Sequence, residues 1–246
     1  MASTNKPAVE EGSLPAPSNA RERILEMAYR LFSRHGIRAV GVDTIIAHSN
    51  VAKMTLYRHF PSKDDLVLAF LERREELWTR GLVQKGVEER ASAPAEKLLA
   101  IFDVFDEWFQ REDFDGCSFI NVLLEFAGDT ENRIFSASVD HLANIRTFVR
   151  GLASEAGIKD PDDFARQWHI LMKGCIVAAG EGDKQAARRA KEVATMLLAR
   201  ELPSDGRAAG NGPKRAPRGR PAARKTPARA ASPGRGNRRT TEKRAG

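Results

Sequence analysis

The clearest structural signal of the chain lies in residues 21–66, RERILEMAYRLFSRHGIRAVGVDTIIAHSNVAKMTLYRHFPSKDDL. Its first part predicts a helix that buries one face and ends at a left-handed cap on Gly36. The apolar residues of that face are Ile24, Leu25, Ala28, Leu31 and Phe32. Two short helices are predicted next, at about 42–48 and 53–59, joined by a tight turn at 49–51. This arrangement predicts a helix-turn-helix, in which the third helix lies in the major groove of DNA.

Helical signals continue beyond this unit. Ser62, with Asp65 three residues later, predicts a capping box at the start of a long helix that runs to about Arg90. Further helices are predicted to begin at about Pro94, Ser118, Glu131 (capped by Asp129), Pro161 and Asp183. No stretch has a convincing strand pattern. We therefore expect an all-α fold of about nine helices.

Composition divides the chain into four parts. Residues 203–246 contain no Val, Ile, Leu, Met, Phe, Tyr or Trp. A segment with nothing to bury cannot offset the entropy of ordering, so we expect this tail and residues 1–19 to be disordered. A helix-turn-helix domain is expected at 20–66 and a larger helical domain at 67–202.

Charge follows the same division. Residues 20–70 carry eight basic and five acidic residues, residues 71–202 carry 18 and 24, and residues 203–246 carry 13 and 2. A basic head, an acidic body and a very basic tail indicate that both ends meet a polyanion while the body has another task.

Several classes of protein are excluded by what the sequence lacks. No run approaches the roughly 18 apolar residues of a membrane span, and the N-terminus has no secretion signal, so we expect a cytoplasmic protein with no membrane partner. Cys117 and Cys175, the two cysteines, support neither a disulfide framework nor a zinc site. The motifs G-x-S-x-G, H-E-x-x-H and G-x-x-x-x-G-K-[ST] are absent. We therefore expect no enzymatic activity, no metal and no cofactor.

Residues 21–66 are similar to the DNA-binding domain of the tetracycline-repressor (TetR) family of bacterial regulators. The runs ILEMAYRLFSRHG and TLYRHFPSKDDL match that family together with their separation. The resemblance implies that base edges or phosphates are met by Lys53, Met54 and Thr55, and phosphates by Tyr57, His59 and Lys63. Two alternatives stay open. Tyr57 could be mainly a core residue with an exposed hydroxyl, and His59 a solvated helix end.

Four positions depart from the family pattern. Gly41 and Ala52 replace hydroxyl caps, which costs phosphate donors and about 1 kcal/mol of helix stability each. Asn50 replaces the turn glycine and tolerates the left-handed conformation. Met54 replaces a small residue, and we expect its long apolar side chain to touch a thymine methyl group.

The resemblance also implies that the larger domain binds a small-molecule inducer and forms a homodimer. Candidate ligand residues combine aromatic side chains with sparse polar groups, as small-molecule sites do. They are Phe102, Phe105, Trp108, Phe109, Phe119, Asn121, His141, Trp168 and Met172, with Glu125 as a further polar candidate. The alternative is an ordinary core, since such stripes are more often core than pocket. The run 116–121, GCSFIN, resembles a GCxFxN stretch of one branch of the family.

The last two helices are the expected dimer interface. Small residues there, Gly174, Ala178, Ala187, Ala190 and Ala194, allow close helix approach in a four-helix bundle. Two subunits would place paired recognition helices about 34–36 Å apart on a palindromic operator.

In the tail, residues 217–221, PRGRP, resemble an AT-hook, in which Arg218 and Arg220 enter the minor groove. The alternative is plain binding by counterion release. These expectations together favour a ligand-relieved homodimeric repressor that works on the bacterial nucleoid. In it, a ligand beneath the fourth helix changes the spacing of the recognition helices. The alternative is a nucleoid-associated architectural protein dominated by its tail.

Overall fold

The computed structural model describes residues 19–202, and all regular structure in that range is helical. The helices are α1 (Ala20–His35), α2 (Val42–Ser49), α3 (Lys53–His59), α4 (Lys63–Arg74), a π-helical segment (Glu75–Gln84), α5 (Lys85–Arg90), α6 (Pro94–Phe109), α7 (Ser118–Glu125), α8 (Arg133–Glu155), α9 (Pro161–Gly180) and α10 (Ala186–Glu201). Because α4, the π-helical segment and α5 join without leaving the right-handed helical region, residues 19–202 form nine separate helical rods. This confirms the predicted all-α class. The predicted disorder of the chain ends, and the PRGRP segment with Arg218 and Arg220, lie outside the described residues.

Helices α1 to α3 and the start of α4 enclose a small core. Its fully buried members include Ile24, Ala28, Ile45, Leu56, Leu66 and Phe70. The turn between α2 and α3 places Asn50 in the left-handed region, with φ 52° and ψ 52°, as predicted. Neither Gly41 nor Ala52 provides a side-chain cap, while Ser62 and Asp65 form the predicted capping box. Local sequence signals therefore set the geometry of this unit.

The body, residues 71–202, has an aromatic core centred on α6. Phe105 packs between Trp78 and Trp108, with ring centroids 5.9 and 5.8 Å away. The inner face of α10 packs on α6, where Lys191 pairs with Asp103 at 2.6 Å. Ala187, Ala190 and Ala194 of α10 are buried in this packing and face the core of the chain rather than the exterior. None of the helices in residues 19–202 is long and apolar enough to cross a membrane.

Two predicted helix starts in the body are wrong. Helix α8 begins at Arg133 rather than 131, because Asn132, not Asp129, supplies the cap, its side-chain oxygen accepting from Ile134 N at 2.9 Å. Helix α10 begins at Ala186 rather than at Asp183, because the Asp183 side chain accepts from Gln185 N at 3.0 Å and closes a turn instead.

Candidate nucleic-acid interface and small-molecule cleft

The third helix presents one side to the exterior and anchors itself by the other. Leu56 is fully buried, whereas Met54 is 79% exposed and Tyr57 is 38% exposed. Tyr57 is therefore neither a wholly buried core residue nor a free side chain, and its alternative role stays open. The exposed side also carries Lys53 and Arg58, the second of which the family resemblance did not single out. Thr55 and His59 are half-buried at its edges.

Charges on this surface are available to an anion. The Lys53 ammonium lies 3.4 Å from the Asp43 carboxylate, but both side chains are well exposed. Such surface pairs contribute roughly 0–1 kcal/mol, so a phosphate can replace the carboxylate at little cost. Helix α3 therefore combines an exposed cation, a long apolar side chain and a phenol on a firmly packed support.

Lys63 occupies a different place. Its ammonium turns toward the loop after α1 and donates to the Ile37 carbonyl at 2.6 Å. Partial burial lowers the pKa of Lys63, against the opposing effect of the nearby Glu125 and Asp64 carboxylates. Of the six DNA-contact residues expected in the described range, five lie on α3, and Lys63 lies at the start of α4.

The seven apolar ligand candidates lie side by side, and all of them are buried. Each is less than 5% exposed. They form a continuous cluster in which Phe102 contacts both Phe105 and Trp168, at ring-centroid distances of 6.3 and 5.4 Å. Of the three polar candidates, His141 stacks on Phe119 of this cluster at 4.9 Å, whereas Asn121 is exposed on α7 and Glu125 lies at the end of that helix.

Open space occurs instead along α7. A cleft of about 620 Å³ lies between α7 and the end of α9, lined by Phe114, Ile120, Leu124, Ile176, Val177 and Lys184 among others. A shallower hollow of about 500 Å³ lies on the α1 side, lined by Ser33, Arg34, Gly36 and Glu125. Asp115, Asn121 and Leu124 line both. Among the predicted ligand residues, Asn121 lines both spaces and Glu125 lines the α1-side hollow.

A polar cluster joins the π-helical segment to α8. The Glu75 carboxylate contacts His141 Nδ1 and accepts from Asn144 Nδ2 at 3.1 Å, and Arg80 lies 3.4 Å away. Burial alone would raise the pKa of Glu75, but the hydrogen bonds from His141 and Asn144 outweigh it and hold the pKa below its ordinary value. Sequence reasoning singled out His141 but missed Glu75, which lies 66 residues away.

Burial keeps three other titratable groups of the body neutral. Burial lowers the pKa of His169 to about 3, and its Nδ1 has no hydrogen-bond partner. Burial also raises the pKa of the Cys117 thiol, and that of Cys175 to about 12. Both cysteines are thus buried, un-ionised thiols, and within residues 19–202 no three His, Cys, Asp or Glu side chains form a metal-binding group.

Comparison with known proteins places the fold. The profile of the family described as bacterial regulatory proteins, tetR family, matches residues 24–70. SCO4454, a TetR-family transcriptional regulator from Streptomyces coelicolor, superposes with a TM-score of 0.69 at 28% identity, over 76% of this chain and 91% of that one. The helix-turn-helix domain, matched over residues 24–70, is of the TetR family, and the described fold around it is similar to that of a TetR-family regulator.

Two curated relatives match more narrowly. The transcriptional repressor KstR2 of Mycolicibacterium smegmatis is 32% identical over 35% of this chain and 41% of its own length. An uncharacterized HTH-type regulator of Lactococcus lactis is 24% identical over 46% of this chain and 58% of its own length. The chain thus spans about half the length of these curated relatives, in contrast to the broader structural match to SCO4454.

Proposed function

We propose that this TetR-family chain is a DNA-binding transcriptional regulator, a homodimeric repressor that a small molecule releases from a palindromic operator. The observation that carries the proposal is the exposed side of α3, where Lys53, Met54 and Tyr57 stand on a helix anchored by Leu56. Met54 suits a thymine methyl group, while Lys53 and Tyr57 suit phosphates.

Dimerisation is supported by an apolar face on α9 and α10. Ile170 is 68% exposed and Met196 66%, and Val177 and Val193 are also exposed. Gly174 lies between Ile170 and Val177 on α9, and a Cβ there would meet nothing within 4 Å. Water-facing apolar side chains grouped on two neighbouring helices indicate a surface that is covered by a partner, and a second copy of the same face satisfies twofold symmetry.

Ligand binding is supported by the cleft beside α7. It combines apolar walls with the Asn121 amide and the Asp115 carboxylate, which suits an organic molecule with at least one polar group. The seven buried aromatic and apolar candidates would reach a ligand only if the core opened. We therefore assign the first contacts with the small molecule to Asn121 and its neighbours on α7. Repression is assigned to the dimer without this molecule.

The test is selection from a random-sequence duplex library with the full chain. We expect enrichment of one palindrome, bound at least about 10³-fold more tightly than bulk DNA. Lys53→Ala should weaken binding by a similar factor for every sequence, because a phosphate contact carries no base information. Lys85→Ala, which removes an exposed lysine of α5, is the matched control and should leave binding unchanged. Failure to enrich any sequence would contradict the proposal and favour an architectural role for the basic tail.

A further inference from the structure

Helix α7 is tied to the loop between α1 and α2 by one carboxylate. The backbone N–H of Ile37 is shared between the two oxygens of Glu125, at 3.0 and 2.9 Å, and the N–H of Arg38 donates to one of them at 2.9 Å. Hydrogen bonds to an ionised acceptor are among the stronger ones in proteins. The C-terminal end of α7 therefore holds a loop 87 to 88 residues away in sequence.

The same loop is held from the opposite side. Lys63, at the start of α4, donates to the Ile37 carbonyl at 2.6 Å. The peptide group between Ile37 and Arg38 is therefore hydrogen-bonded at both its N–H and its C=O. The preceding residue, Gly36, has φ +80°, and a Cβ there would lie 2.4 Å from Glu125 Oε1. The backbone and the carboxylate therefore meet without an intervening side chain.

This contact lies next to the cleft. Asn121 and Leu124, which line both hollows along α7, are one turn and one residue before Glu125. The opposite wall of the larger cleft is formed by Ile176 and Val177 of α9. A molecule that entered between α7 and α9 would press on α7 at positions that move together with the Glu125 backbone.

The opposite end of α7 is also joined to the head. Arg74, at the end of α4, donates to the Tyr29 hydroxyl of α1 at 2.7 Å and to the Gly116 carbonyl, just before α7, at 3.5 Å. A displacement of α7 thus cannot leave both of its connections to the head unchanged.

We infer that Glu125 is a positioning residue through which the location of α7 fixes the α1–α2 loop, and so the orientation of the recognition helix. This inference rests on the function proposed above. It adds a second structural connection between the body and the helix-turn-helix, beside the continuous helix that begins with α4. Loss of the carboxylate leaves the helix-turn-helix folded but free to adopt more than one orientation on the body.

The experiment compares Glu125→Ala, Glu125→Gln and Gly36→Ala with the unmodified full chain on the palindrome that the unmodified chain selects. Glu131→Ala removes a nearby exposed carboxylate and is the matched control. Affinity is measured on duplexes whose half-sites are moved apart or together by one base pair. Hydrogen exchange of the Ile37 and Arg38 amides is followed in parallel.

For Glu125→Ala we expect about tenfold weaker binding to the selected duplex, within the usual range of coupling between sites. We also expect a smaller penalty for altered half-site spacing and faster exchange at both amides. Glu125→Gln keeps an oxygen acceptor, so its affinity, spacing penalty and amide exchange should lie between those of the unmodified chain and Glu125→Ala. Gly36→Ala should resemble Glu125→Ala in all three.

A merely structural role would lower thermal stability and leave the spacing preference of the folded protein unchanged, which would overturn the inference. Unchanged affinity and exchange in Glu125→Ala would overturn it as well. If the unmodified chain selects no duplex, the proposed function itself fails, and the inference fails with it.

Discussion

The buried Glu75 carboxylate gives a prediction that can be worked out from its contacts. Its side chain is 9% exposed, and it joins the π-helical segment to His141 and Asn144 of α8. Glu75→Ala removes both contacts. The bond to His141, whose ring is 16% exposed, should contribute about 1.5–3 kcal/mol as a hydrogen bond to a charged group. The exposed Asn144 amide can return to water, so its bond should contribute about 0.5–1.5 kcal/mol.

The expected loss is therefore about 3 kcal/mol, which corresponds to a Tm lowered by about 6–12 °C for a fold of the size of residues 19–202. Calorimetry or circular dichroism of the purified chain at pH 7 measures it directly. A Tm lowered by less than about 2 °C would mean that the Glu75 contacts contribute almost nothing to the fold.

The charge of Glu75 can be separated from its shape by Glu75→Gln. Because the folded-state pKa lies below the ordinary value of 4.5, the carboxylate stabilises the fold above that pH and loses this effect as pH falls through the folded-state pKa. The Tm difference between the unmodified chain and Glu75→Gln should thus be larger at pH 7 than at pH 3, because it shrinks as the pH falls through the folded-state pKa of Glu75. Asp65 and Asp183 also have lowered pKa values, but they titrate in both proteins and cancel in the difference. A difference that stays constant between these two pH values would refute the reasoning.

Three further predictions concern recognition, assembly and capping. Because Met54 is exposed, Met54→Ala should change Tm little. It should alter base preference at one operator position about fourfold, which corresponds to roughly 0.8 kcal/mol for one buried methylene. Selection of an identical sequence by the variant would exclude a base contact. Ile170→Asp should give a monomer by light scattering, whereas Val139→Asp, at an exposed apolar residue of α8, should stay dimeric; a dimeric Ile170→Asp would place the interface elsewhere. Ser62→Ala breaks the capping box with Asp65 and should cost about 1 kcal/mol, or roughly 2–4 °C in Tm by thermal melting; an unchanged Tm would show that the cap is dispensable.

The parts of the fold that sequence could predict are those fixed by neighbours in the chain. The capping box of Ser62, the left-handed Asn50 and the acidic start of α9 at Asp160 each depend on atoms within about four residues. Where several local caps compete, the prediction was wrong. Asp129 and Asn132 are both good cap residues, and the sequence alone does not rank them.

The candidate site was less predictable because its contacts are distant in sequence. No local pattern indicates that Glu125 accepts from Ile37, or that Lys63 donates to the Ile37 carbonyl. The ligand residues stay a prediction for a related reason. Aromatic residues at helical spacing produce the same pattern whether they enclose a ligand or one another, as Phe105 and Trp108 do here.

The position of α3 therefore depends on supports that belong to other parts of the chain. Within the head, Leu56 is buried among α1 and α2, and Arg21 of α1 lies over the Phe60 ring at 5.1 Å. From the body, Glu125 fixes the loop that leads into α2. A repressor dimer binds two half-sites at one spacing. A change of angle at the contact from the body therefore alters DNA binding without unfolding the contacts within the helix-turn-helix. Under the proposed function, selectivity for an operator depends on α7 as much as on α3. Variants of α7 should change which half-site spacing is preferred before they change which bases are preferred.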